Sequence, residues 1–219
     1  MATLSAKERL TAAAYELFDE RGYEHSTVDD IAERAGVGRT TFFRVFPSKD
    51  DVILPDHRVV LGAVKARLAT STQETALVAI SEAARLALLH YLDEGELARS
   101  RYRLTSSVPA LRHREVASME QYRRVFRAFI HGWMGGGSES ALRAELMATS
   151  VVRAHNYVLR RWLLGLTEQP EAEFDAAMAE VIELFAEANA TRQREASVVI
   201  VRTTRELDEV IPELRRILG

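Results

Sequence analysis

An all-α fold is predicted by three observations on this chain of 219 residues. Apolar residues recur at three- and four-residue spacing along most of its length. The segments so patterned are separated by short stretches of Gly, Pro, Asp and Ser, which is turn chemistry. One β-branched run alone, Ser197-Val-Val-Ile-Val201, departs from the helical period. The arrangement expected is an N-terminal three-helix helix-turn-helix domain over residues 1–50 and a connecting helix into a larger helical domain over 51–195. A short C-terminal strand and a terminal helix over 196–219 complete it.

Ser5-Ala-Lys-Glu8 is a capping box that opens the first helix. Leu10, Ala13, Ala14, Leu17 and Phe18 form its apolar stripe, and Gly22 stands where a C-terminal cap belongs. Thr27 caps a second helix running to about Ala35, with Asp29 and Asp30 suited to its positive end. Gly36-Val-Gly38 turns the chain, and Arg39 to Phe46 forms a third short helix ended by Pro47-Ser48. Ser48 is placed to cap a fourth helix from Lys49 to Ala69. Pro55 interrupts that helix, because a mid-helix proline removes one hydrogen bond and crowds the preceding turn, so a break is expected near Leu54–Asp56.

Five further helices are expected at roughly 74–93, 96–107, 109–134, 139–165 and 171–193, divided by Asp93-Glu-Gly95, Ser107-Val-Pro109, Gly135-Gly-Gly137 and Thr167-Glu-Gln-Pro170. The run Ser197–Val201 reads as a strand whose partner is either its own copy in a second subunit or an extended segment of this one. Thr203-Thr-Arg-Glu206 is another capping box, leading into Leu207, Val210, Ile211, Leu214, Ile217 and Leu218.

Composition narrows the function. With 47% apolar and 28% charged residues the chain can bury a core, and it has no apolar run of about 18 residues to span a membrane. It contains no cysteine, which removes disulfides, thiolate nucleophiles and cysteine-ligated metals. The start, MATLSAKERL, lacks the apolar stretch of a secretory signal, so a cytoplasmic location is expected. His90, His131 and His155 lack metal-ligand spacing; no metal and no cofactor is expected. There is no P-loop, GxSxG, HExxH, Gly-rich dinucleotide turn or aligned Glu-x-x-His pair, which leaves a helical-bundle enzyme as a remote alternative.

The net charge of −3 does not suggest a nucleic-acid binder, and residues 1–50 hold seven Lys/Arg against nine Asp/Glu. The distribution does suggest one. Arg34, Arg39, Arg44 and Lys49 occupy an acid-free stretch directly after an acidic flank, Asp19 to Glu33. In a helix-turn-helix the later helix lies in the major groove, here presenting Arg39, Thr40, Thr41 and Arg44 and burying Phe42, Val45 and Phe46. Arg39 suits a bidentate pair with guanine, and Thr40 or Thr41 a thymine methyl or a base edge. Thr27, at a helix N-terminus, and Lys49 suit phosphates.

This stretch resembles the DNA-binding domain of the TetR family of bacterial transcriptional regulators, from about Ser5 through Val52. Gly36-Val37, the aromatic pair Phe42-Phe43, Phe46 and Ser48-Lys49 follow the family pattern. Phe43 stands where family members usually have a phosphate-touching tyrosine, which leaves packing or sugar contact. Gly38 stands where serine is frequent, which leaves the backbone N–H. The resemblance implies a homodimeric, ligand-responsive repressor on double-stranded palindromic operator DNA, released by a small apolar or amphipathic effector. The alternative is an activator or effector-independent regulator whose helical domain only dimerises or binds a protein.

In the larger domain Tyr91, Tyr102, Tyr122, Phe126, Phe129, Trp133, Met147 and His155 are candidates to line an effector cavity. Trp162 is a further one. The helices around Leu142–Leu166 and Phe174–Ala190 resemble the pair that forms the family's four-helix dimer interface. The broad apolar face of the latter, with Phe174, Met178, Val181, Ile182 and Phe185, is expected there, the alternative being that it packs inside one subunit. Arg99, Arg101, Arg103, Arg112 and Arg114 flank a loop; a solvated surface is the default reading and an anionic head-group site the alternative.

Overall fold

The computed structural model of the protein describes residues 4–55 and 57–193, with side chains as far as 185. Ten helices run through these residues: α1 (Ala6–Arg21), α2 (Val28–Arg34), α3 (Arg39–Val45), α4 (Asp50–Ile53), α5 (His57–Ala69), α6 (Ala76–Glu94), α7 (Glu96–Ser107), α8 (Pro109–Trp133), α9 (Ser138–Leu163) and α10 (Pro170–Gln193). The expected strand at Ser197–Val201 and the helix after Thr203 lie outside the described residues. The chain divides into two units after Phe185, and the first, Met1–Phe185, carries two hydrophobic cores.

Local signals set the first three helices. Both halves of the Ser5–Glu8 capping box form: the Glu8 N–H donates to Ser5 Oγ at 3.2 Å and the Ser5 N–H to the Glu8 carboxylate at 2.7 Å. Thr27 and Asp30 repeat the device at the head of α2, at 3.2 and 2.8 Å. Gly36 turns the chain between α2 and α3 with φ +64°, a left-handed backbone that a Cβ would strain. Ser48 does not cap as expected. Its hydroxyl donates to the Asp51 carboxylate at 2.5 Å, and Lys49 holds the N-cap position of α4.

The expected proline break is present. α4 stops at Ile53, Leu54 is extended, and α5 starts at His57, whose N–H donates to the Pro55 carbonyl at 2.9 Å. The N-terminal core collects Leu10, Leu17, Phe18, Ile31, Phe42, Phe46, Val52 and Ile53, together with Leu111 from the far helix α8, which is fully buried. The second core gathers α5, α6, α8, α9 and the start of α10 around Ile80, Leu88, Phe126, Ile130, Met147 and Val151.

One expectation needs correction here. The apolar stripe of Phe174, Met178 and Val181 is expected at a dimer face, yet all three are buried in the subunit's own second core. Ile182 and Phe185 are half-buried. An i, i+4, i+7 stripe looks the same whether it meets its own subunit or another, so periodicity does not distinguish the two. Among the described side chains, the large apolar ones that α9 and α10 leave exposed are Leu142, Leu146, Tyr157 and Leu184.

Candidate nucleic-acid interface and effector cavity

α3 faces outward as its sequence requires. Phe42 and Phe46 anchor it in the N-terminal core, while Arg39, Thr40 and Arg44 are exposed, Thr41 is half-buried and Phe43 is 44% exposed. Gly38 is exposed at the N-cap, its carbonyl accepting from the Thr41 and Phe42 N–H groups at 2.9 and 3.2 Å. Thr27 is exposed but engaged in its capping box, the hydroxyl also donating to Asp30 at 2.6 Å.

The four cations of the basic stretch are not equivalent. Arg34 turns back to Glu20 at 2.8 Å and Glu16 at 3.4 Å, and hydrogen bonding to Glu20 raises its pKa. Arg39 pairs with Asp29 at 2.6 Å and lies over the Phe43 ring, 5.2 Å from its centroid. Both partners of that pair are largely exposed, so water screens it and an incoming phosphate or base edge can compete for the guanidinium. Arg44 is exposed and makes no ion pair among the described residues.

Lys49 is turned inward. Its ammonium donates to the carbonyls of Tyr23 at 2.9 Å and Ser26 at 3.0 Å and sits 3.9 Å from the Tyr23 ring centroid. It pins the loop between α1 and α2 to α4. The phosphate role expected from sequence would require it to leave three partners. No local pattern announces this, because its partners lie 23 and 26 residues away.

Among the candidate cavity residues, Tyr91, Tyr122, Phe126 and His155 converge on one cavity between α6, α8 and α9. Ala84, Ala87, Met119, Val151, Val152 and Asn156 complete its wall, and its volume is about 20 Å³. Tyr102 instead lines an adjoining groove of about 520 Å³ that shares Met119 and Asn156 with the first. Met147 is fully buried core, and Phe129, Trp133 and Trp162 pack against that core. Met119 and Asn156 were not singled out from sequence, though the His155-Asn156 pair, polar within an apolar helix, was the available signal.

Two cavity tyrosines touch the region of the helix break. The Tyr122 hydroxyl is 3.2 Å from His57 Nδ1, at the first residue of α5. The Tyr91 ring lies 5.8 Å from the guanidinium carbon of Arg101. Arg101, 4% exposed, forms a bidentate pair with Glu94 at 2.6 and 2.8 Å and donates to the Ile53 carbonyl at 2.8 Å. The arginine run is therefore not a cationic patch: Arg103 pairs with Glu96, Arg114 with Asp50 and Asp51, Arg112 donates to the Ser106 carbonyl and Arg99 stacks on Trp162.

Comparison with known proteins agrees with this geometry. Residues 10–54 match the family described as bacterial regulatory proteins, tetR family. The chain is 30% identical over 192 residues to the HTH-type transcriptional regulator TcmR of Streptomyces glaucescens, covering 83% of this chain and 85% of that protein. The chain belongs to the TetR family. It is also 28% identical over 177 residues to a putative mycofactocin biosynthesis transcriptional regulator, MftR, of Mycobacterium tuberculosis, covering 78% of this chain and 88% of that one. A solved structure of SmeT with triclosan shares the fold at a TM-score of 0.60 and 15% identity, over 81% of this chain and 91% of that one. As a TetR-family member the protein is a helix-turn-helix DNA-binding regulator and not an enzyme, and among its described residues no helix is long and apolar enough to cross a membrane.

Proposed function

We propose that the protein is a cytoplasmic homodimeric repressor that binds a palindromic operator and leaves it when a small apolar or amphipathic molecule occupies the cavity between α6, α8 and α9. The observation that carries this reading is a physical connection. Tyr91 and Tyr122 line the cavity and reach Arg101 and His57, which stand on the two sides of the α4–α5 break. α4 in turn packs in the core that supports α3.

On the operator, Arg39, Thr40, Thr41 and Arg44 face base edges, with the Gly38 N–H, Thr27 and Phe43 at the backbone. One such helix buries too little surface for tight specific binding, so two copies read half-sites about 34–36 Å apart or a multiple of it. The exposed apolar residues Leu142, Leu146 and Tyr157 of α9 and Leu184 of α10, with half-buried Ile182 and Phe185 beside them, supply the dimer face. An effector that prefers the dimer with misplaced α3 helices lowers operator affinity about 5- to 150-fold for a coupling of about 1–3 kcal/mol.

Footprinting of DNA upstream of the protein's own gene, with sedimentation to give the stoichiometry, tests the reading. A protected palindrome occupied by two copies is the expected result. A strictly monomeric protein, or protection without symmetry, overturns it.

A further inference from the structure

The walls of the inner cavity specify more than apolar character. Eight of the ten lining residues offer carbon surface, with the rings of Tyr91, Tyr122 and Phe126 among them. Two buried polar atoms of the wall residues, the Tyr91 hydroxyl and His155 Nε2, have no hydrogen-bond partner. Both residues are more than nine-tenths buried. His155 Nδ1 lies 3.1 Å from the Asn156 amide oxygen, an acceptor, so Nδ1 carries the proton and Nε2 presents a lone pair. Burial pushes the imidazole pKa down, which keeps that lone pair available near neutral pH. The phenol of Tyr91 accepts as well as donates.

Charge around the cavity disfavours an anion. No charged residue lines the inner cavity, and Arg112 and Arg160 line only the adjoining groove. Arg101, which acts on Tyr91, is already committed to Glu94, and the Glu115 carboxylate acts on Tyr91 with the opposite sign. A second unpartnered oxygen, Glu115 Oε2, belongs to a residue that lines the adjoining groove. A saturated alkyl chain filling the inner cavity would leave the Tyr91 hydroxyl and His155 Nε2 unmet, and buried unmet polar atoms are what such a site discriminates by.

We propose that this cavity takes a neutral, planar aromatic molecule carrying hydroxyl groups, whose O–H donors reach His155 Nε2 and Tyr91 while its ring packs between Tyr122 and Phe126. The proposal rests on the effector reading above and names the chemistry of that effector. At about 20 Å³ the cavity holds no ring as it stands, whereas the groove beyond Met119 has about 520 Å³. Met119 lines both, and an unbranched, flexible side chain is suited to swing aside and join them. Ligand binding therefore selects a conformation different from the closed one, which is what a release mechanism requires.

The test uses the full-length protein, with calorimetric titration and thermal shift against apigenin, its unhydroxylated parent flavone, and lauroyl-CoA. Apigenin is expected to bind and flavone to bind at least about ten-fold more weakly. Tyr91→Phe is expected to melt higher than wild type without ligand, because an unpaired buried hydroxyl is removed, and yet to bind apigenin about ten-fold more weakly; His155→Leu should weaken apigenin by a similar factor. Flavone binding as tightly as apigenin, lauroyl-CoA binding alone, or no binding by any probe would each overturn the proposal. An operator-release assay separates the two readings: apigenin bound with DNA retained sinks the effector role but not the ligand class. Release by lauroyl-CoA and not by apigenin does the reverse.

Discussion

Arg101 Nε donates to the carbonyl oxygen of Ile53 across 2.8 Å, in a setting where Arg101 is 4% exposed. In an unbroken helix that carbonyl would accept the N–H of residue 57, but the His57 N–H has gone to Pro55 instead. A side chain from α7 thus satisfies the acceptor that the proline break released. The same guanidinium is fastened to Glu94 at the end of α6 and lies against Tyr91, so the end of α4 is held by a group that also borders the effector cavity.

Replacing Arg101 by Met takes the bidentate partner from half-buried Glu94, leaving it only His90 at 3.8 Å, and takes the side-chain donor from the Ile53 carbonyl. Unfolding in urea should show a loss of about 3–5 kcal/mol, with partial recovery in the double variant carrying Glu94→Gln. The double variant should still bind operator but lose most of its response to effector. Full response in that variant would mean that coupling runs elsewhere.

Lys49→Ala distinguishes an inward lysine from a phosphate-binding one. Two charge-assisted hydrogen bonds and a ring contact vanish, so thermal unfolding should report about 1–3 kcal/mol of destabilisation. The salt dependence of operator binding should keep its slope. A slope reduced by about one unit would instead place Lys49 on a phosphate.

Asp29 and Arg39 form a testable pair at the DNA edge. Asp29→Asn frees the guanidinium and removes a charge that repels phosphate, so operator affinity should rise in a mobility-shift titration. Arg39→Ala should weaken binding by about 1–3 kcal/mol and relax base preference at one position of each half-site. Uniform weakening across all sequences would make Arg39 a backbone contact.

Pro55→Ala restores a backbone donor and permits α4 and α5 to join. Effector response should change more than effector-free operator affinity, measured on the same DNA. Equal changes in both would argue against a hinge at this position.

His155 carries a pH dependence of definite sign. Burial lowers its pKa below the ordinary 6.5, so between the lowered value and 6.5 the unfolded chain binds more protons than the folded one. The stability from keeping it neutral is present above 6.5 and is lost as pH falls through the folded pKa. Glu115, raised by burial, works the other way: its contribution is present below about 4.5 and lost as pH rises. The difference between wild type and His155→Leu isolates the histidine, and the wild-type unfolding midpoint should fall relative to that of the variant as pH drops below 6.5. Parallel curves would show that His155 does not titrate in this range.

Helix boundaries, caps, the break at Pro55 and the outward edge of α3 were legible in the chain itself, because each depends on residues within a few positions of one another. The Ser5–Glu8 and Thr27–Asp30 boxes span three residues, and an apolar stripe repeats every turn. Tertiary structure decided what periodicity leaves ambiguous. Leu111 reads as one more apolar residue of α8 but is fully buried in the core of the DNA-binding helices. Phe174, Met178 and Val181 face their own subunit, Lys49 points at carbonyls on a distant loop, and Arg101 meets Ile53 from 48 residues away. The physical reason is the same in each case: a side chain's hydrogen-bonding and packing partners are set by which helices come together, and helical spacing records which face is apolar without recording what will cover it.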